Sequence, residues 1–282
     1  MQNTNDTGFY SFRADANALG GILEKPFRKP VPTLAPVSLP AAGGFALARS
    51  EGFTLDNIVS CRSAYTRVSG EENRDRDDDD KTIAILVTSV VEGLNILEVV
   101  TAERIVAQLS ILIPPDRKVI KVSTAGSRFE GLRVEGQCKE LQWNQKLQDY
   151  QTSRDAKGLP VGATREHIWE IGKEQAARVT KAFTGRHNAA WAEKRFEWMK
   201  KSDAKANASV MCSLVDGYVK EKPDEEFCGH VVDIPNFGRF FFGELLLTAE
   251  SVQLVSIRAE LGCAVKGKIT INCAGGGGVG NF

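Results

Sequence analysis

Histidine is scarce in this sequence, and closely spaced cysteines are missing. The 282 residues include three histidines and six cysteines, and no two cysteines form a Cys-x-x-Cys pair. A phosphate-binding P-loop and the His-Glu-x-x-His metal motif are missing as well. The sequence therefore predicts neither a metal site nor a bound cofactor, and we expect the cysteines to be buried thiols.

An excess of charge and a long apolar run are also lacking. Lysine plus arginine and aspartate plus glutamate both total 36, so the net charge is zero, which argues against a nucleic-acid partner. Charged residues interrupt the most apolar stretch, residues 82–113, which predicts no transmembrane helix. The polar start predicts no signal peptide, so we expect a cytoplasmic protein or one exported without an N-terminal signal.

The composition changes twice along the chain. Residues 1–136 and 229–273 have strand-like composition, whereas residues 137–228 contain all four tryptophans and charged residues at helical spacing. No helices alternate with the strands, which disfavours a parallel doubly wound sheet. The sequence predicts an α+β fold, with a β-rich, mostly antiparallel sandwich or barrel-like body and an inserted helical subdomain; a short β-solenoid is the alternative. Residues 274–282 are expected to form a flexible glycine-rich tail.

Individual elements follow from local patterns. A run of β-branched residues predicts a strand over residues 82–91. Five of the ten prolines fall within residues 26–40, which predicts an extended edge or a surface strap. In the middle region we predict helices over residues 139–154, 164–183 and 188–201.

One short motif occurs twice. Residues 89–96 and 127–134 share the pattern Ser-x-Φ-Glu-Gly-Leu-x-Φ, where Φ is apolar. Each glycine suits a β-bulge or a close backbone approach, and the repetition suggests two equivalent strands or turns. The acids of the motif, Glu92 and Glu130, are candidate catalytic residues, because glycosidases place two carboxylates around one bond. The alternative is that each glutamate caps a bulge or faces water.

Cys228 and His230 form a second candidate catalytic pair. They are two residues apart, and such residues on one strand share a face. An adjacent imidazole can activate a thiol. Catalytic Cys–His pairs usually join distant segments of the chain, which favours a structural interpretation.

An acidic cluster occupies residues 71–81. Calcium loops alternate their ligands and contain a glycine, and this segment has neither feature. We therefore favour a solvated hairpin tip whose charges prevent edge-to-edge pairing.

Three tryptophans of the middle region are candidate binding residues. Trp191 and Trp198 are seven residues apart, two helical turns on one face, and Trp169 lies on the preceding predicted helix. Clustered tryptophans can stack on a ligand. They can equally anchor a core, and we predict that residues 138–228 form their own small helical core around these three residues.

The order of these motifs resembles bacterial surface proteins of the choice-of-anchor P type. Such proteins carry Ser-x-Val-x-Gly-Leu, a Val-Thr-Ala strand, Ser-x-Phe-x-Gly-Leu-x-Val-x-Gly and an Ile-Pro-x-x-Gly turn. The resemblance covers residues 82–136 and 230–273 and implies a β-rich, non-enzymatic extracellular module. The matching positions are Ser89, Gly93, Leu94, Thr101, Ala102, Ser127, Gly131, Leu132, Val134, Gly136, Pro235 and Gly238.

Taken alone, the sequence favours a non-enzymatic structural or assembly protein that self-associates or is surface-related. One alternative is a binding module whose tryptophan-bearing insertion contacts a glycan or a protein; another is a hydrolase that uses the paired carboxylates. We expect a homo-oligomer because zero net charge does little to keep copies apart. The first 40 residues or the glycine tail are expected to contact the next copy.

Overall fold

Strands dominate the fold, and two helices form one insertion. The computed structural model describes residues 9–74, 81–113, 119–147, 149–154, 160–161, 163–184, 190–201, 209–219, 227–248 and 251–281. The predicted β-rich α+β fold class is confirmed. In chain order, the elements are β1 (Phe9–Lys25), β2 (Lys29–Leu34), β3 (Val37–Ser38), β4 (Gly44–Leu55), β5 (Val59–Arg74), β6 (Lys81–Ile96), β7 (Val100–Ile113), β8 (Val119–Ser123), β9 (Arg128–Glu130), β10 (Arg133–Val134), β11 (Gln137–Cys138), β12 (Leu141–Trp143), β13 (Asp149–Arg154), β14 (Pro160–Val161), α1 (Ala163–Phe183), α2 (Ala190–Lys201), β15 (Val210–Ser213), β16 (Val215–Tyr218), β17 (Phe227–Cys228), β18 (Val231–Ile234), β19 (Gly238–Leu247), β20 (Ser251–Gly262) and β21 (Lys266–Asn281).

Two sheets form the body. Sheet A has the order β17-β18-β19-β20-β21-β1-β2, with β15 paired to β19 and β3 paired to β1. Sheet B has the order β14-β13-β8-β7-β6-β5-β4, and β9 and β10 also pair with β7. Every strand pairing within the described ranges is antiparallel, which contradicts the β-solenoid alternative.

A row of interruptions in the strand ladder, which we call bulges, crosses sheet B. Gly52 on β4, Gly93 on β6 and Gly131 after β9 have φ angles of +48°, +61° and +61°. The pairing skips these glycines without a change of register, and the buried face of the strand shifts there from one residue parity to the other. On β6 the core residues are Ile83, Ile85, Val87 and Val91 before the bulge, and Leu94 and Ile96 after it. Ser89 and Val90 are buried as well.

The two sheets share two apolar cores, one on either side of the bulges. A buried polar contact joins the sheets between these cores. The Oγ of Ser89 on β6 donates to Oδ1 of Asn272 on β21 at 2.9 Å. The Nδ2 of Asn272 donates to the carbonyl of Ile105 on β7, also at 2.9 Å. Asn272 itself has a φ of +50°, so the row of irregular positions continues into sheet A.

The helices pack on the outer face of sheet A. Phe183 on α1 and Phe196 on α2 form a buried cluster with Val231 on β18 and Phe241 on β19. The insertion therefore shares its core with the sheet, and the expectation of a separate helical core is wrong. None of the described helices is both long and apolar enough to cross a membrane.

Two of the three predicted helices are confirmed as α1 and α2. The third is wrong, because residues 139–154 contain β12, a 3₁₀ turn at Gln145–Leu147 and β13. The ladder from β13 to β8 makes hydrogen bonds that local spacing cannot reveal. The proline-rich segment contains β2, which lies at one end of sheet A as predicted.

The glycine-rich end is a strand rather than a flexible tail. β21 extends to Asn281 and lies between β20 and β1, with Gly277 opposite both Ser251 and Arg13. The described glycines are therefore held in sheet A, and their predicted contact with another copy stays a prediction. The acidic segment begins and ends in the paired strands β5 and β6, and its tip at residues 75–80 lies outside the described residues.

Candidate functional site

The motif glutamates Glu92 and Glu130 lie on either side of Arg104. Glu92 on β6 is opposite Arg104 on β7, and Glu130 on β9 is opposite the same arginine. The Nε of Arg104 lies 3.7 Å from Oε1 of Glu92. Because a guanidinium lies between them in the strand register, the two carboxylates do not face each other across an open gap.

Each of these carboxylates has its own polar partners. The Oγ of Ser63 donates to Glu92 at 2.9 Å, and the Nε of Arg128 donates to Glu130 at 2.6 Å. Arg104 donates to the hydroxyl of Tyr65 at 3.1 Å. This hydrogen bond, with the charges of Glu130 and Glu92, raises the pKa of Arg104. The cluster is a cross-strand charge network, which favours the structural interpretation of the motif.

A third copy of the motif escaped the sequence analysis. Residues 213–218 read Ser-Leu-Val-Asp-Gly-Tyr, with aspartate and tyrosine in place of glutamate and leucine. The hydroxyl of Ser213 donates to the Phe242 carbonyl at 2.7 Å, as Ser127 does to the Gln108 carbonyl at 3.1 Å. The acidic-Gly dipeptide was the signal that could have found it. In both copies a hydrogen bond from the serine hydroxyl links its segment to a neighbouring strand.

The second candidate pair, Cys228 and His230, flanks a tight turn at Gly229. The Sγ of Cys228 donates to the carbonyl of Arg178 at 3.8 Å. The His230 ring is 4% exposed and lies near Phe196 and Phe241, and its Nδ1 has no partner among the described residues. Burial lowers the pKa of His230 to about 4. The described contacts therefore include no thiol–imidazole hydrogen bond of the kind that nucleophilic catalysis requires.

The three tryptophans occupy three different environments. Trp169 is buried in one of the cores between the sheets. Trp191 is half-buried against Phe183 and Phe241, with ring centroids 5.2 Å and 5.8 Å away. Trp198 is 37% exposed. The binding-module alternative therefore depends on one partly exposed tryptophan rather than on a cluster.

A buried ion network holds α2 against sheet A. Glu244 on β19 is 3% exposed and accepts hydrogen bonds from Arg195 on α2 and, at 2.6 Å, from Arg258 on β20. Burial alone would raise the pKa of Glu244, but the two guanidinium groups outweigh burial and lower it. The signal in the sequence was a single charge within an otherwise apolar run.

A groove of about 530 Å³ crosses the outer face of sheet A. Its lining includes Arg13 and Asp15 on β1, Gln253 on β20 and the bare backbone of residues 275–277 on β21. None of the seven site residues proposed from the sequence lines it. The described residues contain no group of three or more His, Cys, Asp or Glu side chains that could hold a metal ion, and all six cysteines are free thiols.

β4 forms one edge of sheet B and carries exposed apolar side chains. β4 pairs with β5 on one side, and no described strand pairs with its other side. Phe45 and Leu47 on this strand are 56% and 57% exposed. The guanidinium of Arg67 lies 4.9 Å above the Phe45 ring. The structure thus presents a twelve-residue strand with a free hydrogen-bonding edge and two exposed apolar side chains.

A family model for a domain of unknown function, DUF8256, matches residues 9–248. The chain belongs to the DUF8256 family. The match spans both helices, so the insertion is part of the family's domain, whereas β20 and β21 lie beyond the matched residues. No curated protein and no solved structure matches the chain.

Proposed function

We propose that this DUF8256 domain is a non-enzymatic assembly module that self-associates through β4. The observation that carries the proposal is the unpaired edge of this strand. An edge strand presents a row of N–H and C=O groups that can pair with another chain. β4 has twelve residues, which is twice the mean strand length of roughly 5–6 residues.

The other sheet ends support this choice of surface. β14 and β17 have two residues each, and β14 begins with a proline. β2 has six residues and carries prolines at 30 and 32, which cannot donate to a ladder. Short strands and prolines are two of the protections against edge pairing, beside charged side chains and bulges. β4 lacks both forms of protection.

The surface chemistry of β4 also fits a protein partner. Phe45 and Leu47 supply exposed apolar area next to the free edge, and the chain has zero net charge. The motif order that resembles choice-of-anchor P surface proteins would also suit a role that needs no catalytic residues.

Leu47→Glu tests the proposal. Position 47 is opposite Arg67 on β5, so the new carboxylate gains a partner within the chain and the fold should persist. A charge at the edge should weaken association by roughly tenfold or more. Sedimentation equilibrium measures the dissociation constant.

Val219→Glu is the matched control, because Val219 is 50% exposed and lies away from β4. Association of the control should equal that of the wild type. A wild-type chain that stays monomeric at micromolar concentration would overturn the proposal, as would equal association of Leu47→Glu and the wild type.

A further inference from the structure

Two opposite charges lie at the middle of the free edge. The Nε of Arg49 is 2.6 Å from Oε1 of Glu51, and these side chains are 64% and 68% exposed. They are two residues apart on one strand and so project on the same face of sheet B. Ser50 lies between them.

Symmetry restricts how two copies of β4 can pair. A two-fold axis perpendicular to the sheet makes the strands antiparallel, and a residue then lies on the axis opposite its own copy. With Arg49 on the axis, two arginines face each other. With Leu47 or Ala48 on the axis, Arg49 faces an apolar side chain. With Ser50 on the axis, Arg49 of each copy faces Glu51 of the other.

We infer that the partner of β4 is β4 of a second copy, in an antiparallel register with Ser50 on the two-fold axis. This inference rests on the proposed function and specifies its partner and geometry. The register joins Arg49 and Glu51 of both copies into one alternating cluster of four charges. Opposite charges directly across a ladder stabilise the pairing, and like charges destabilise it.

The bulge suits this register. Ala48 of one copy faces Gly52 of the other, the two smallest residue types. Gly52 has open space where a side chain would project, with no atom within 4 Å of that position. The two copies of β4 can therefore approach closely at Gly52.

The same geometry limits the size of the assembly. An isologous contact uses the same surface on both copies and closes on itself. Each chain offers one long unprotected edge within its described residues, so the assembly ends at a dimer with sheet B continuous through both copies.

Charge reversal with mixing tests the register. In a dimer of Arg49→Glu, the new glutamate lies opposite Glu51 of the other copy. In a dimer of Glu51→Arg, the new arginine lies opposite Arg49 of the other copy. Each variant alone should associate roughly tenfold or more weakly than the wild type. An equal mixture should form heterodimers of wild-type affinity, because each new acid then faces a base. Native mass spectrometry with one variant isotope-labelled measures the heterodimer fraction.

Cross-linking tests the axis independently. In Ser50→Cys the two new thiols lie directly opposite, within the roughly 4.4–6.8 Å between Cα atoms that a disulfide spans. Mild oxidation should give a covalent dimer. Ala46→Cys is the matched control. Position 46 of one copy lies opposite position 54 of the other, so the two new thiols are eight residues apart along the ladder and should not cross-link.

The outcomes separate the two proposals. A monomeric wild type overturns both. A dimeric wild type that Leu47→Glu disrupts, but whose charge-reversed variants fail to recover on mixing, retains the assembly function and overturns the register. Absence of cross-linking in a dimeric Ser50→Cys variant also overturns the register and retains the assembly function. Recovery on mixing together with cross-linking at position 50 supports the register.

Discussion

At the scale of single residues, two buried polar groups beneath α2 are stabilised in different ways. Glu244 is charged and accepts hydrogen bonds from guanidinium groups on both carboxylate oxygens. His230 is 4% exposed, and burial lowers its pKa to about 4, so its ring is neutral at pH 7. The nearby charge of Glu244 raises that pKa and Arg195 lowers it, but both effects are smaller than burial.

His230 should make the fold sensitive to acid. The unfolded chain protonates this residue near pH 6.5 and the folded chain near pH 4, so the unfolded state binds more protons between these values. The free energy of unfolding should fall by about 2 kcal/mol between pH 7 and pH 5 from this residue alone. His230→Phe should remove that loss, as measured by urea unfolding at both pH values.

The exposed His167 supplies the control for this measurement. His167→Gln should keep the pH dependence of the wild type. Identical pH dependence in the wild type and His230→Phe would contradict the assignment.

At the scale of elements, bulge glycines set which face of each strand is buried. Before the bulge of β6, odd-numbered residues such as Ile85 and Val87 face the core; after it, Leu94 and Ile96 do. The repeated Glu-Gly dipeptide predicted a special backbone position at Gly93 and Gly131, and both have positive φ and a close neighbour where a Cβ would lie. The strand register is unchanged across both glycines, so neither inserts an extra residue. The position of Arg104 between the two glutamates was not predictable, because it depends on the register of three strands.

Gly93 and Gly52 should differ in their tolerance of alanine. Both have positive φ, which costs an alanine about 1 kcal/mol. A Cβ at Gly93 would lie 2.9 Å from Cβ of Arg62, whereas one at Gly52 would meet nothing within 4 Å. Gly93→Ala should therefore lose at least about 1 kcal/mol more stability than Gly52→Ala in urea unfolding. Equal losses would show that the contact with Arg62 relaxes freely.

The success of sequence prediction differed between element types. α1 and α2 were predicted because their periodicity is local. β13 was mistaken for helix, and β21 for a flexible tail, because ladder pairing decides both. The glycines of β21 have a packing reason: a Cβ at Gly276 would lie 2.8 Å from Cδ1 of Ile111 on the facing sheet.

At the scale of the whole molecule, the two helices and the free edge lie on different sheets. α1 and α2 cover β18 and β19 of sheet A, whereas β4 ends sheet B. The sequence predicted self-association through the first 40 residues or the glycine tail, whereas the contact that we propose lies at β4; both stay predictions. The position of β4 at an open edge is a property of the topology and was not predictable from local composition.

Hydrogen–deuterium exchange of residues 44–55 tests the role of β4 most directly. Pairing with β5 protects only the amides that face β5, so the outward amides exchange rapidly in a monomer. If β4 pairs with a second copy, these amides should become protected as concentration rises and the measured mass approaches twice 30.8 kDa. Exchange in this segment that stays fast while the mass doubles, or a mass that never exceeds that of one chain, would contradict association through β4.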